Sequence, residues 1–390
     1  MKRKHYSLNT TFLLFCSLLT LSISFAAKPN RMDFSAERDA QAAFQDGIIW
    51  LVKNQNTNGS WSIDGRKGDT VAVTSLILSA LVKAGPNEYT RNTTISNGLH
   101  YVLSKKKADG SIYQNVYCKN YSTAIALRML KDCKSDSLQD IIQNAENYLL
   151  SSQFDEGHGY KPDSPQYGGV GYGGIEHDDR PDLSNLQWAL SGLSDQNKTE
   201  IEKPKSNQEK KNIKAKAEFY RKVKIYLDKC QNLKSVNPRY AMNNDGGFIY
   251  KWDESKAGEN KSYGSMTYAG FLSLIYIGTD INNTQVKSAF EWIQSNYTVD
   301  ENPGLGIDGL YYYYNIMAKA LHAYGNEEII DAKKIRHQWA QELSVKLVGL
   351  QRKDGSWNKE ISTKDRWLED NPALVTGYIV NALEEILPKK

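Results

Sequence analysis

The densest grouping of side chains able to hold a metal or move a proton is Glu176-His177-Asp178-Asp179. Four adjacent residues cannot all converge on one ion, and no H-E-x-x-H or comparable spacing supports them. A solvated loop and no bound metal are expected. Asp69, Asp182, Asp308 and Asn371 form a second set, each directly preceding an apolar run of helical length. A side-chain oxygen there accepts a backbone N–H of the first turn, worth about 1 kcal/mol, and Pro372 suits a first helical position. Helix N-termini favour the charged carboxylate, which opposes proton donation unless burial overrides it. The third set is aromatic. Tyr263, Tyr268, Tyr311 and Tyr378 lie on apolar helices and offer hydroxyls for hydrogen bonds and ring faces for cations. The run Tyr311-Tyr312-Tyr313-Tyr314 spans one helical turn, so at most two of its rings face any one cavity. His322 reads as a core histidine. No P-loop, dinucleotide fingerprint or G-x-S-x-G elbow occurs, and no cofactor is expected.

Internal repetition says which elements carry these groups. Gln55-Asn56-Thr57-Asn58-Gly59-Ser60-Trp61 recurs as Gln351-Arg352-Lys353-Asp354-Gly355-Ser356-Trp357. Weaker copies are Ala108–Ile112, Gln153–Gly157 and Asn244–Phe248. Each is a tight turn between segments of helical period. Amphipathic helices are expected over Ala36–Gln55, Tyr89–Lys105, Asp136–Ser152, Ile213–Cys230, Asn283–Asn296 and Glu328–Gln351. Helices apolar nearly all round are expected over Thr70–Val82, Ser122–Leu130, Leu183–Leu193, Tyr263–Ile277, Gly309–Tyr324 and Pro372–Leu387. The two kinds alternate. A one-sided helix faces water and an all-apolar helix is surrounded, so six inner helices within six outer ones satisfy both. An open solenoid would carry atypical end repeats as caps, whereas here the first and last copies match each other best. The expected fold is all-α: a closed α6/α6 toroid of six helix hairpins.

The chain has 390 residues and a formal charge of +4. Three of its cations, Lys2, Arg3 and Lys4, precede a Leu-rich stretch over Phe12–Phe25 and a Ser24-Phe25-Ala26 cleavage pattern. Residues 1–26 therefore read as a signal peptide, with export to a periplasm or the outside, and residues 27–390 as a single domain. Without those three cations the remainder carries +1, too little to gather nucleic acid. Residues 194–216, Lys-rich with interleaved glutamates, read as a solvated insertion. Cys118 and Cys133 bracket a helix that holds them about 22 Å apart, too far to pair. Cys118 with Cys230 stays open.

Gly47…Trp50-Leu51…Gln55…Gly59…Trp61 and Gln351…Gly355…Trp357 resemble the QW repeats of squalene-hopene cyclases. Their wider superfamily is that of terpenoid cyclases and protein prenyltransferase β subunits. The resemblance covers nearly all of the mature chain and implies an α6/α6 barrel with a central isoprenoid cavity. It makes Gln55, Gly59, Trp61, Gln351, Gly355 and Trp357 structural braces of helix ends. Prenyltransferase zinc ligands are missing: Asp308 has a counterpart, but Leu310 stands at the Cys position and Val375 at the His. One carboxylate does not make a three-ligand zinc site. The Cys-Gly-Glu-Gln run of related thioester proteins is also absent.

A squalene cyclase protonates an alkene with the middle acid of a DxDD motif, kept neutral by burial and neighbouring carboxylates. Aligning Trp188-Ala189-Leu190 with the corresponding cyclase helix sets Asp179-Arg180-Pro181-Asp182 on that motif, with Pro181 at the middle acid. Asp182 and Asp179 are the catalytic candidates, and Asp69 a weaker one. Tyr263, Tyr268, Asp308, Tyr311 and Tyr378 are the candidates for the cavity lining. The function expected is binding of an isoprenoid or other apolar ligand, with room for cyclase or isomerase chemistry and for contact with a membrane surface. A non-enzymatic scaffold for a protein partner, and a carbohydrate-active toroid with paired rim carboxylates, are the alternatives.

Overall fold

The computed structural model describes residues 32–63, 68–85, 89–175, 180–195, 206–359 and 367–388. The proposed signal peptide, Asp179 with the rest of its acidic loop, and residues 196–205 lie outside the described residues. Twelve α-helices are described: α1 (Phe34–Lys53), α2 (Thr70–Lys83), α3 (Tyr89–Leu103), α4 (Lys119–Asp132), α5 (Gln139–Ser151), α6 (Leu183–Leu193), α7 (Asn207–Cys230), α8 (Gly264–Tyr276), α9 (Thr284–Ser295), α10 (Leu310–Tyr324), α11 (Trp339–Gly349) and α12 (Pro372–Ile386).

Packing follows the burial pattern. The even-numbered helices touch in sequence, and α12 returns to α2, closing the inner ring; α11 packs on α1 outside it. Inner helices approach closely through small residues. A Cβ on Gly192 of α6 would lie 2.7 Å from the Ala124 carbonyl oxygen of α4. Asn381 Nδ2 of α12 donates to the carbonyl of Leu76 in α2 at 3.0 Å, a bond across the point of closure.

The repeated turns pin the outer ring. Gly59, Gly110, Gly168, Gly246 and Gly355 all have φ between +81° and +91°, a region costly to other residues. A Cβ on any of them would fall within 2.8 Å of a carbonyl oxygen on the next outer helix. The turn glutamines reach the same neighbours. Gln55 Nε2 donates to Thr94 O, Gln153 to Phe219 O, Gln231 to Gln285 O and Gln351 to Ala43 O, all between 2.8 and 3.1 Å. Inward, the backbone N–H groups of Trp61, Ile112, Phe248 and Trp357 donate to threonine hydroxyls of α2, α4, α8 and α12. The turns at Gly59, Gly110, Gly246 and Gly355 thus each bolt an inner helix to the following outer one.

Three expectations need amending, and one open question is answered. The turn after α5 pairs Gln153 with Gly168, not Gly157, because the short 3-10 segment Glu156–His158 and a loop intervene. The span Glu328–Gln351 is not one helix. A hairpin of β1 (Ile329–Ile330) and β2 (Arg336–His337) precedes α11, turned by Lys334 at φ 66°. The β-branched pair Ile329-Ile330 favours a strand, and helical period alone misses that. The Lys-rich insertion is in part helical, since α7 begins at Asn207 with Ser206 Oγ accepting from Glu209 N–H. Cys118, Cys133 and Cys230 are all free thiols.

Candidate functional site: the tyrosine-lined mouth of the ring

The inner helices begin around one mouth, and their first turns are capped in two ways. Asp69, Asp182 and Asn371 cap α2, α6 and α12 with their own side chains, at 2.8, 3.0 and 2.9 Å. The other three helices are capped from the neighbouring loop. Tyr172 O accepts from Asn120 N–H of α4, Asn302 Oδ1 from Ser265 N–H of α8, and Glu369 Oε1 from the N–H groups of Tyr311 and Tyr312 in α10, each at 2.9 Å. Asp308 is no cap, contrary to expectation. The cap position of α10 is Gly309, at φ 64°, and Asp308 turns outward to pair with Lys359 at 3.0 Å.

Within this rim lies a basket of tyrosines. Tyr121, Tyr172, Tyr250 and Tyr312, with Ser184, retain partial exposure although each is surrounded on most sides by protein. Side chains deep in a body that still meet solvent form the wall of a recess. Tyr263 and Tyr378 are buried behind them. Tyr121 and Tyr172 lie 5.5 Å apart between ring centres, Tyr312 and Tyr378 6.0 Å, and Trp188 stands edge-on to Tyr121 at 6.2 Å. Spacings of this kind are favourable for aromatic pairs. The Tyr121 and Tyr378 hydroxyls are hydrogen-bonding neighbours.

Asp182 sits at its floor, 1% exposed. Oδ1 accepts from Asn185 N–H at 3.0 Å and Oδ2 from Asn185 Nδ2 at 2.6 Å, with the Tyr250 hydroxyl beside it. Burial first, and then the Asp182 charge, raise the pKa values of Tyr172 and Tyr250. Burial first, with the opposing Tyr378 hydroxyl second, leaves Tyr121 pushed up to about 12. The basket therefore presents neutral phenols at any physiological pH. Cys118, at the start of α4, is pushed up to about 12 by burial and then by Asp69, so it is a thiol rather than a nucleophilic thiolate.

The candidate residues divide by position. Asp182, Tyr263 and Tyr378 come together in the basket. Asp69 is engaged at the rim, where Oδ2 accepts from the N–H groups of Gln114 and Asn115 at 3.0 and 2.9 Å. Tyr311 is on the rim too, its hydroxyl donating to Asn358 O at 3.2 Å. Tyr268 lies elsewhere, edge-on to Tyr313 at 5.6 Å. Of the run Tyr311–Tyr314, only Tyr312 belongs to the recess wall; Tyr313 and Tyr314 donate to Thr298 O and Val299 O. Sequence reasoning missed Tyr121, Tyr172, Tyr250, Tyr312 and Glu369. Gly309 held the one signal for Glu369, because a helix starting on a residue without a side chain must be capped from outside itself. Among the described residues no cluster of three His, Cys, Asp or Glu could hold a metal, and no helix is long and apolar enough to cross a membrane.

A variant of the type II terpene cyclase MstE from Scytonema superposes with a TM-score of 0.57 at 12% identity, covering 91% of this chain and 99% of that one. The fold is an α/α toroid shared with a terpene cyclase. Another variant of that enzyme, in complex with geranylgeranyl dihydroxybenzoate as substrate, matches at 0.55 and 12% identity, again over 91% and 99%. A glycosidase matches at 0.52 and 10% identity, over 92% and 100%. No family model and no curated protein matches this chain. The toroid architecture, the all-α class and the likeness to terpenoid cyclases expected from the QW turns are thus borne out at the level of fold. The α/α toroid spans this chain and each of these relatives almost end to end.

Proposed function

We propose that this toroid binds an isoprenoid-like, largely apolar ligand in the tyrosine basket at the mouth of its inner ring. The observation that carries the reading is the recess wall of Tyr121, Tyr172, Tyr250 and Tyr312. Neutral phenol rings cover apolar chains and meet polarised double bonds with their faces, while their hydroxyls orient a polar end group. The fold shared with a cyclase that takes a geranylgeranyl substrate supports the same ligand class. Asp182, ringed by donors, serves in this reading to orient the basket and receive a ligand hydroxyl. Alkene protonation would require it to be neutral. The proposal includes export, with residues 1–26 removed as a signal peptide.

The glycan reading would place its chemistry at the rim. A separate rim pocket of about 410 Å³ is lined among the described residues by Lys119, Tyr148, Ser151, Ser152, His158, Gly174 and Ile175. Glycoside hydrolysis uses a carboxyl pair.

Native mass spectrometry of the purified protein, with solvent extraction of anything that co-purifies, tests the proposal. A retained polyprenyl lipid, or uptake of added geranylgeraniol at one equivalent, is expected. A protein that is empty and stays empty with geranylgeraniol in excess overturns it.

A further inference from the structure

Two rings at the tyrosine basket already carry an ammonium group on one face. Lys256 Nζ lies over Tyr250, 4.3 Å from the ring centre, and Lys319 Nζ over Trp188 at 4.9 Å. A cation there is drawn by the negative charge of the π face. Lys256 belongs to the loop after Tyr250 and is paired with Glu254. Lys319 lies near the end of α10, away from the mouth, in the company of Lys83, Arg128 and Glu385. Among the described residues no cation lies over Tyr121, Tyr172 or Tyr312, which make up the rest of the recess wall.

The floor of the basket supplies a carboxyl group. Burial comes first, but the Asp182 charge is also among the influences that raise the pKa values of Tyr172, Tyr250, Tyr263 and Tyr312. Asp182 is therefore close to rings of the wall and of the layer behind it. It caps α6, and the start of a helix favours the charged form of a capping acid. The positive helix ends at the mouth would by themselves draw an anion. Three of them, however, are met by buried carboxyl groups: Asp69 on α2, Asp182 on α6 and Glu369 on α10. Six helix ends of about half a charge each stand against three whole charges, so the two sets roughly cancel. The ring faces and the nearest carboxyl group then decide the sign. Of the neighbouring cations in the chain, Arg180 is exposed and Lys256 is paired.

We propose that the end group seated in this basket is an ammonium, so that the ligand is an amine or quaternary ammonium carried on an apolar chain. The inference rests on the basket being the site of the isoprenoid-like ligand and names the chemistry of that ligand's polar end. The N-methyl or N-methylene groups share the positive charge and lie on the phenol faces, while the charge itself pairs with Asp182. A hydroxyl end group gains only a hydrogen bond there. An anionic end group meets Asp182 with like charge.

The test is calorimetric titration of the purified, folded protein with three probes on one geranylgeranyl chain, each kept below the concentration at which it forms micelles. One ends in trimethylammonium, one in the tert-butyl group that puts carbon in place of nitrogen, and one in a hydroxyl. The ammonium probe is expected to bind one equivalent at least about tenfold more tightly than its carbon twin. That ratio should fall several-fold in Asp182→Asn, which keeps a capping side chain at the start of α6. A ratio near one in the wild-type protein, or a ratio that Asp182→Asn leaves unchanged, overturns the ammonium assignment. Isoprenoid binding survives that result if the hydroxyl probe binds. Binding of the ammonium probe alone supports the assignment and counts against the apolar chain as the main determinant. No binding by any of the three overturns both. The ratio between the first two probes is measured in the wild-type protein, so it stands even if the asparagine variant fails to fold.

Discussion

Gln351 Nε2 donates to the main-chain oxygen of Ala43 at 2.9 Å, across 308 residues of sequence. The last repeat therefore treats the first outer helix as the next one in line, as Gln55 treats α3 and Gln231 treats α9. Gly355 repeats the relationship, since a Cβ there would sit 2.8 Å from Asp46 O. A toroid has no end repeat to cap, and its mouth is bounded on all sides. That boundary lets six helix N-termini face one recess.

Closure is testable through paired glycines. Gly355 and Gly278 both have positive φ, but only Gly355 faces a backbone atom; a Cβ on Gly278 would meet nothing within 4 Å. Gly278→Ala should cost about 1 kcal/mol for left-handed strain alone. Gly355→Ala should cost at least about 1 kcal/mol more for the overlap. Urea unfolding of both variants measures the difference, and equal losses would mean that the last turn is not seated on α1.

Glu369 holds the start of α10 from 58 residues away. Glu369→Ala removes the acceptor of one buried and one part-buried N–H group and should destabilise by about 2–3 kcal/mol. Glu369→Gln keeps a carbonyl oxygen in place and should recover more than half of that. A loss below about 0.5 kcal/mol in the alanine variant would show that water replaces the cap without cost.

Lys319 makes stability depend on pH with a sign set by its depressed pKa. Its folded value is about 8 against an ordinary 10.5. Between those values the unfolded chain binds more protons, so this group adds stability as pH rises. Lys319→Met should therefore stabilise the protein near pH 7 by about 1–3 kcal/mol. The advantage should shrink to nothing as pH climbs from about 8 to 10.5. Lys83 titrates oppositely: although burial opposes it, Glu385, Glu384 and Asp132 hold its pKa above the ordinary value. The difference between wild type and variant is thus the quantity to follow. A gain that is constant with pH would contradict the assignment.

The helical frame was legible because its signal is local. A stripe of charge on α5 and an unbroken apolar α2 state their layers in sequence. Matching turns at Gly59 and Gly355 state closure. The basket was only half legible. Tyr263 and Tyr378 lie at or on inner helices, where period marks an inward face, whereas Tyr172 and Tyr250 come from loops that carry no period. Asp308 was misread as a cap for a related reason. An Asp before an apolar run predicts its own cap well, but Gly309 in a left-handed conformation turns the chain, and Glu369 reaches the site through folding alone.

Calorimetric titration with a C20 polyprenol bears most directly on the central claim. The wild-type protein should bind one equivalent with a negative heat-capacity change, the mark of apolar burial. Tyr172→Ala and Tyr312→Ala should each weaken binding about tenfold, while Tyr268→Ala, outside the basket, should leave the affinity of the folded protein unchanged. Binding that is absent, or that survives loss of both recess tyrosines at full strength, would contradict the account.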